Sequence, residues 1–122
     1  MWDLNTIRRQ NEGKASKLIR EAQKTGGVSF NNRMEKLTLK DGYTVSIEKI
    51  LETTDQEKLE CCLNRELKKH VGSCFYGIWL KDGVFYLDGN INVSGKKLAI
   101  ELGKLHEQRA IYDETKKEVI TL

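Results

Sequence analysis

Apolar positions recur at helical spacing near the start of the chain. Leu4, Ile7, Ala15, Leu18 and Ala22 fall on one face when each residue turns about 100°. Asp3 is placed to cap the start, and Thr25-Gly26-Gly27 to stop the helix, because glycine readily takes the left-handed position that ends one. Gly13 interrupts the run at a cost of about 1 kcal/mol against alanine. The alternative is two shorter helices broken near residues 11–14. From residue 27 the period changes. Gly27-Val28-Ser29-Phe30-Asn31 reads as a short strand, and Leu37-Thr38-Leu39 as a second. Tyr43-Thr44-Val45-Ser46-Ile47 alternates as a half-buried strand after the turn signal Lys40-Asp41-Gly42. That turn predicts a hairpin between the strands on either side of it.

A second helix is predicted over residues 55–70. Thr54 and Glu57 have capping-box spacing. Leu59, Cys62, Leu63 and Leu67 form its apolar face, with Lys68, Lys69 and His70 in its last turn and Gly72 ending it. Phe75 to Leu80 and Val84 to Asp88 then flank Lys81-Asp82-Gly83, a strong hairpin signal. A third helix over 95–108 turns Leu98, Ala99, Leu102, Leu105 and His106 inward. Strands at 110–112 and 118–121 follow. The fold class is α+β: a small antiparallel sheet with a C-terminal β-β-α-β-β module, a middle helix and an N-terminal basic helix. The expected division is a helix over 1–26 and one α+β domain over 27–122.

The chain of 122 residues carries a formal charge of +3 and no proline. All of the excess positive charge lies in residues 1–24, and the remainder balances. Arg9, Lys17, Arg20 and Lys24 fall together opposite the apolar stripe of the first helix. They are the candidate contact to a nucleic acid or an acidic partner surface. The bland reading is a solvated face with cations near the helix C-terminus. A neutral body argues against acidic mimicry of DNA. No apolar run approaches the roughly 18 residues of a membrane span. The start lacks the pattern of a signal peptide, and three cysteines fit a reducing compartment. The expected location is the cytoplasm, and no membrane contact is expected.

Candidate chemistry is sparse. Cys62, His70 and Cys74 lack the paired spacing of a zinc site, and Cys61 or Cys74 would need an adjacent base for catalysis. Asp82, Asp88, Glu101 and Asp113 contain no spacing that demands a metal pair. The phosphate-loop, dinucleotide, zinc-protease and serine-hydrolase motifs are absent. No enzyme activity, metal or cofactor is expected.

Gly77-x-Trp79, Val84-x-Tyr86-Leu87-Asp88, a helix carrying Ala99, and Gln108-x-Ala110-Ile111-Tyr112-Asp113 resemble a pattern in small uncharacterised proteins of bacteriophages and mobile elements. Thr25-Gly26-Gly27-Val28-Ser29 and Gly42-Tyr43-Thr44-Val45-Ser46 are similar to their first half. The basic helix lies outside the resemblance. The resemblance brings no chemistry with it. What it implies is an inhibitor that binds and blocks a host defence nuclease in the bacterial cell. A CRISPR effector or its ribonucleoprotein is the first expected partner, on association alone. The alternative is a nucleic-acid-binding accessory or regulatory protein that uses the basic helix on DNA or RNA. Each matched residue also has a structural role open to it. Gly77 relieves crowding beside Trp79, Trp79 and Tyr86 pair across strands, Asp88 and Asp113 cap or turn the chain, and Gln108 bonds nearby backbone.

Overall fold

The computed structural model describes residues 4–65, 67 and 74–122, with side chains from residue 13 onward. Helix α1 spans Leu4–Thr25 and runs through Gly13 without a break. Ala15, Leu18, Ile19 and Ala22 are buried along one face. Packing of this stripe outweighs the propensity cost of one exposed glycine. The helix closes as predicted: Gly26 has φ +91° and donates its N–H to the Ala22 carbonyl at 2.8 Å. Lys36 Nζ lies 2.8 Å from Glu21 Oε1, which ties the helix to the next segment and holds the Glu21 carboxyl below its usual range.

Strands β1 (Gly27–Phe30) and β2 (Lys36–Leu37) pair with each other, and β3 runs from Tyr43 to Thr53. The hairpin expected across Asp41-Gly42 does not form. β3 pairs instead with later strands, at Tyr43↔Val93 and Tyr43↔Asp113. Gly42 does turn the chain, with φ +78°. The turn delivers β3 to the sheet interior, where Val45 is fully buried. A two-residue edge strand offers much less burial than that.

Helix α2 spans Gln56–Arg65. Its cap is Asp55 rather than the expected Thr54: Asp55 Oδ1 accepts N–H bonds from Glu57 at 2.9 Å and Lys58 at 3.3 Å. A carboxylate there also meets the positive end of the helix dipole. Of the expected extension toward residue 70, Leu67 is described and buried in the core with Leu59 and Leu63, while residues 66 and 68–73, including His70 and Gly72, lie outside the described residues. Cys62 is partly buried against the core and Cys61 is exposed, as their positions on the helix imply.

Strands β4 (Phe75–Lys81) and β5 (Val84–Val93) form the predicted hairpin. Asp82 and Gly83 have φ of 52° and 78°, the two positive values a type I′ turn requires. Helix α3 (Lys96–Leu105), β6 (Ala110–Asp113) and β7 (Glu118–Thr121) complete the chain. Ala99 is fully buried and Leu102 packs inward, but Leu98 and Leu105 are 51% and 73% exposed and His106 is exposed. The helix approaches β6 along its small residues. A Cβ on Gly103 would lie 3.0 Å from Ile111 Cγ2. Ala99 and Gly103 therefore form the contact line, and the bulkier leucines rotate off it.

The fold is α+β, with one seven-stranded antiparallel sheet in the order β2-β1-β4-β5-β3-β6-β7. Strand β3 lies between the strands that precede and follow α3. Alternation assigns the two faces. Val28, Phe30, Tyr76, Ile78, Phe85 and Leu87 pack with α1 and α2. Further along the same face, Val45, Ile91, Ile111 and Ile120 pack with α3. All three described helices therefore cover one side. The opposite face carries Gly27, Gly77, Trp79, Asp88, Asn90, Ser46, Thr44 and Tyr112, and no described helix lies on it.

Candidate functional site

The helix-free face is concave. Trp79 on β4 and Tyr112 on β6 have ring centroids 5.7 Å apart. Their strands are separated by β5 and β3, which would set them roughly 14 Å apart in a flat sheet. The sheet must curl to bring the rings together. Two glycines make room for this arrangement. A Cβ on Gly27 would come 2.7 Å from Trp79 Cε3, so the indole lies directly on that backbone. A Cβ on Gly77 would come 2.8 Å from Asn90 Nδ2.

Beneath the two rings is an open cavity of about 180 Å³. Trp79, Tyr112, Ala110, Ile111 and Val119 provide its apolar lining. Thr44, Ser46, Asp88, Asn90 and Gln108 provide its polar groups. Register places these groups together: Ser46 is opposite Asn90, and Gly77 is opposite Asp88.

Most buried polar groups nearby are satisfied. Thr44 Oγ1 donates to Glu114 Oε2 at 2.6 Å. Lys117 Nζ donates to the Leu39 carbonyl at 2.7 Å and lies 3.4 Å from Glu114 Oε1. Asp113 turns the chain as expected, its Oδ1 accepting the Thr115 and Lys116 N–H groups. Gln108 Nε2 donates to the His106 carbonyl at 3.1 Å.

Asn90 is different. It is 1% exposed, and its Nδ2 donor has no hydrogen-bond partner among the described residues. Ser46 Oγ, in the same cavity, also lacks a hydrogen bond among the described residues. An unmade bond at a buried donor costs about 1–3 kcal/mol. Two such groups share one recess. Asp88 completes the set. It sits in the middle of β5 rather than at a strand end, so the expected capping role is not what it does. Burial pushes its carboxyl up to about 6. The nearby Ser46 hydroxyl and the Lys49 ammonium oppose that rise, and Glu52 adds to it. The hydroxyl is near enough to favour the carboxylate, yet it is not in hydrogen-bonding geometry.

The residues singled out for their charge lie elsewhere. Lys17, Arg20 and Lys24 are exposed on α1, opposite its buried stripe. None of the three makes a hydrogen bond or ion pair among the described residues. Arg9 belongs to the same helix, and its side chain is outside the described set. Because α1 covers the convex face, the basic stripe and the cavity are on opposite sides of the sheet. Cys61 and Cys74 are exposed, and no cluster of three metal-ligating side chains occurs among the described residues.

Trp79, Asp88, Gln108, Ala110, Ile111 and Tyr112, all singled out in the sequence, line the cavity together. Reading each one separately as a turn, cap or cross-strand residue misses their convergence. Asn90 is missed altogether, and Thr44 and Ser46 enter only as members of the Gly42–Ser46 segment. The one signal for Asn90 is the alternation of polar residues at Asp88, Asn90 and Asn92 along β5, which marks a face not covered by core. Comparison with known proteins finds no family model, no curated protein and no solved structure that matches this chain.

Proposed function

We propose that this chain is a non-enzymatic binding protein that acts by stoichiometric contact, with the concave sheet face as its contact surface. The supporting observation is the buried Asn90 amide, which faces a preformed aromatic-walled cavity with its donor unpaired. Binding sites are commonly preformed recesses of this kind, apolar with a few convergent polar groups. The resemblance to small bacteriophage and mobile-element proteins directs the choice of partner. That partner is a host defence nuclease, first a CRISPR effector ribonucleoprotein, met in the bacterial cytoplasm. The test is a cleavage assay in which a fixed amount of purified effector is titrated with the chain. Loss of cleavage should be linear and end near equimolar protein. Complete loss at a small fraction of one equivalent would point to turnover and overturn the reading.

A second reading is an accessory protein that contacts DNA or RNA through α1, supported by the exposed Lys17, Arg20 and Lys24. Binding to random DNA and RNA at two salt concentrations distinguishes it. Changing Arg9, Lys17, Arg20 and Lys24 together to Gln should weaken binding and flatten its salt dependence. An unchanged slope removes this helix from the contact.

A further inference from the structure

We propose that the cavity under Trp79 and Tyr112 binds one pyrimidine-type nucleobase, carried either by a free nucleoside or by an unpaired position in a single strand. This deepens the binding reading above and uses the same concave face.

Size sets the first limit. A dry engineered cavity of about 150 Å³ takes one benzene. At about 180 Å³, this recess holds a single six-membered ring and leaves its substituent in the open mouth. Chemistry sets the second limit. Asn90 Nδ2 is a donor that needs an acceptor, and Ser46 Oγ can serve as either. Asp88, when ionised, is an acceptor that needs a donor.

A purely aliphatic group would leave the Asn90 donor and the Ser46 hydroxyl without a partner, at the cost of their burial. A cationic side chain would suit Asp88 and set its charge against the Asn90 donor. A carboxylate would suit Asn90 and be repelled by Asp88. A planar ring with a donor beside an acceptor on its edge meets every demand at once, and its faces suit Trp79 and Tyr112. Stacking of a base on an aromatic side chain is worth about 1–3 kcal/mol. Cytosine and uracil both present that edge pattern on one six-membered ring.

The experiment uses the full chain with Trp2→Phe, so that Trp79 is the sole reporting indole. Indole fluorescence is followed while uridine, cytidine, adenosine, guanosine, a short oligouridylate and N-acetylarginine amide are added in turn. Saturable quenching by the pyrimidine nucleosides is expected, with purines weaker. Ser46→Ala and Asp88→Asn should each lower pyrimidine affinity roughly tenfold, about one hydrogen bond's worth. Circular dichroism checks that both variants remain folded. Equal affinity for nucleoside and oligonucleotide identifies the free base as the source. A much tighter oligonucleotide identifies a single strand.

No saturable response up to roughly 10 mM, beyond the millimolar range of weak binding, overturns the proposal. So does a preference for purines, a response to the arginine amide alone, or pyrimidine binding unchanged in both folded variants. Nucleoside binding without nuclease inhibition would remove only the inhibitor reading. Inhibition without nucleoside binding would remove only the base site.

Discussion

Trp79 and Tyr112 touch across a curled sheet, although β5 and β3 separate the strands that carry them. Tilted aromatic pairs at this distance contribute about 0.5–1.5 kcal/mol beyond the area they bury. Tyr112→Ala should therefore lower stability by at least that amount in denaturant titrations. In a Trp2→Phe background, the Trp79 emission should also shift to longer wavelength as its ring becomes wetter. An unshifted spectrum would show that the curl does not depend on this contact.

Gly27 supports the same indole from below. The Trp79 ring is rigid and already rests on the Gly27 backbone, so a methyl group there has no flexible tip to push aside. Gly27→Ala should cost about 1–3 kcal/mol, in the range of overpacked sites. Thermal unfolding checks the cost. Gly83→Ala is a poor control, because φ at Gly83 is positive; Gly95→Ala, where nothing lies within 4 Å, is the suitable one.

Asp88 makes stability depend on pH in the sense opposite to a paired carboxylate. Its folded value of about 6 lies above its ordinary 3.8, so the folded state binds the extra proton between those two values. Stability from this group is fully present below about pH 3.8 and is lost as pH rises through about 6. The charged groups that act on it are Lys49 and Glu52 on β3. Asp88→Asn should raise the melting temperature at pH 7 and flatten the fall in stability over that window. The gain is bounded by about 3 kcal/mol, the free energy of a shift of that size. A wild-type slope retained in the variant would assign the pH dependence to another group.

The docking of α1 is tested at Ile19, which is fully buried in the core shared with α2 and the sheet. Ile19→Ala should cost about 2–5 kcal/mol, the range for a large-to-small change in a core. Lys17→Ala, two residues away and exposed, should stay within about 0.5 kcal/mol. Equal effects at the two positions would contradict the packing.

Local features were readable from the chain, and distant ones were not. The first helix follows from the spacing of Leu18 and Ala22 and from the glycines that close it. The β4–β5 hairpin follows from Asp82-Gly83, whose backbone suits the twist of the flanking strands. Asp41-Gly42 carries the same local signal and forms no hairpin, because a turn signal does not identify the strand that will gain most burial. The inward face expected for α3 does not hold at Leu98 and Leu105, since size governs how closely a helix can approach and hydrophobicity alone does not. The cavity depends on register across four strands and on the curl. No window of consecutive residues contains either. Asp88 and Trp79 were visible as members of a pattern, while their meeting with Asn90 and Ser46 was not.

Strand β3 also bears on how the protein reaches its folded state. The pairs β1–β2, β4–β5 and β6–β7 each join neighbours in sequence and can form early. The seams on both sides of β3 close over long stretches of chain: Tyr43 meets Val93 on one side and Asp113 on the other. During synthesis β3 leaves the ribosome well before either partner and waits as an unpaired edge, a ready template for the wrong chain. Folding should therefore be gated by the arrival of β5. A chain truncated before β6 should aggregate rather than persist as a smaller domain.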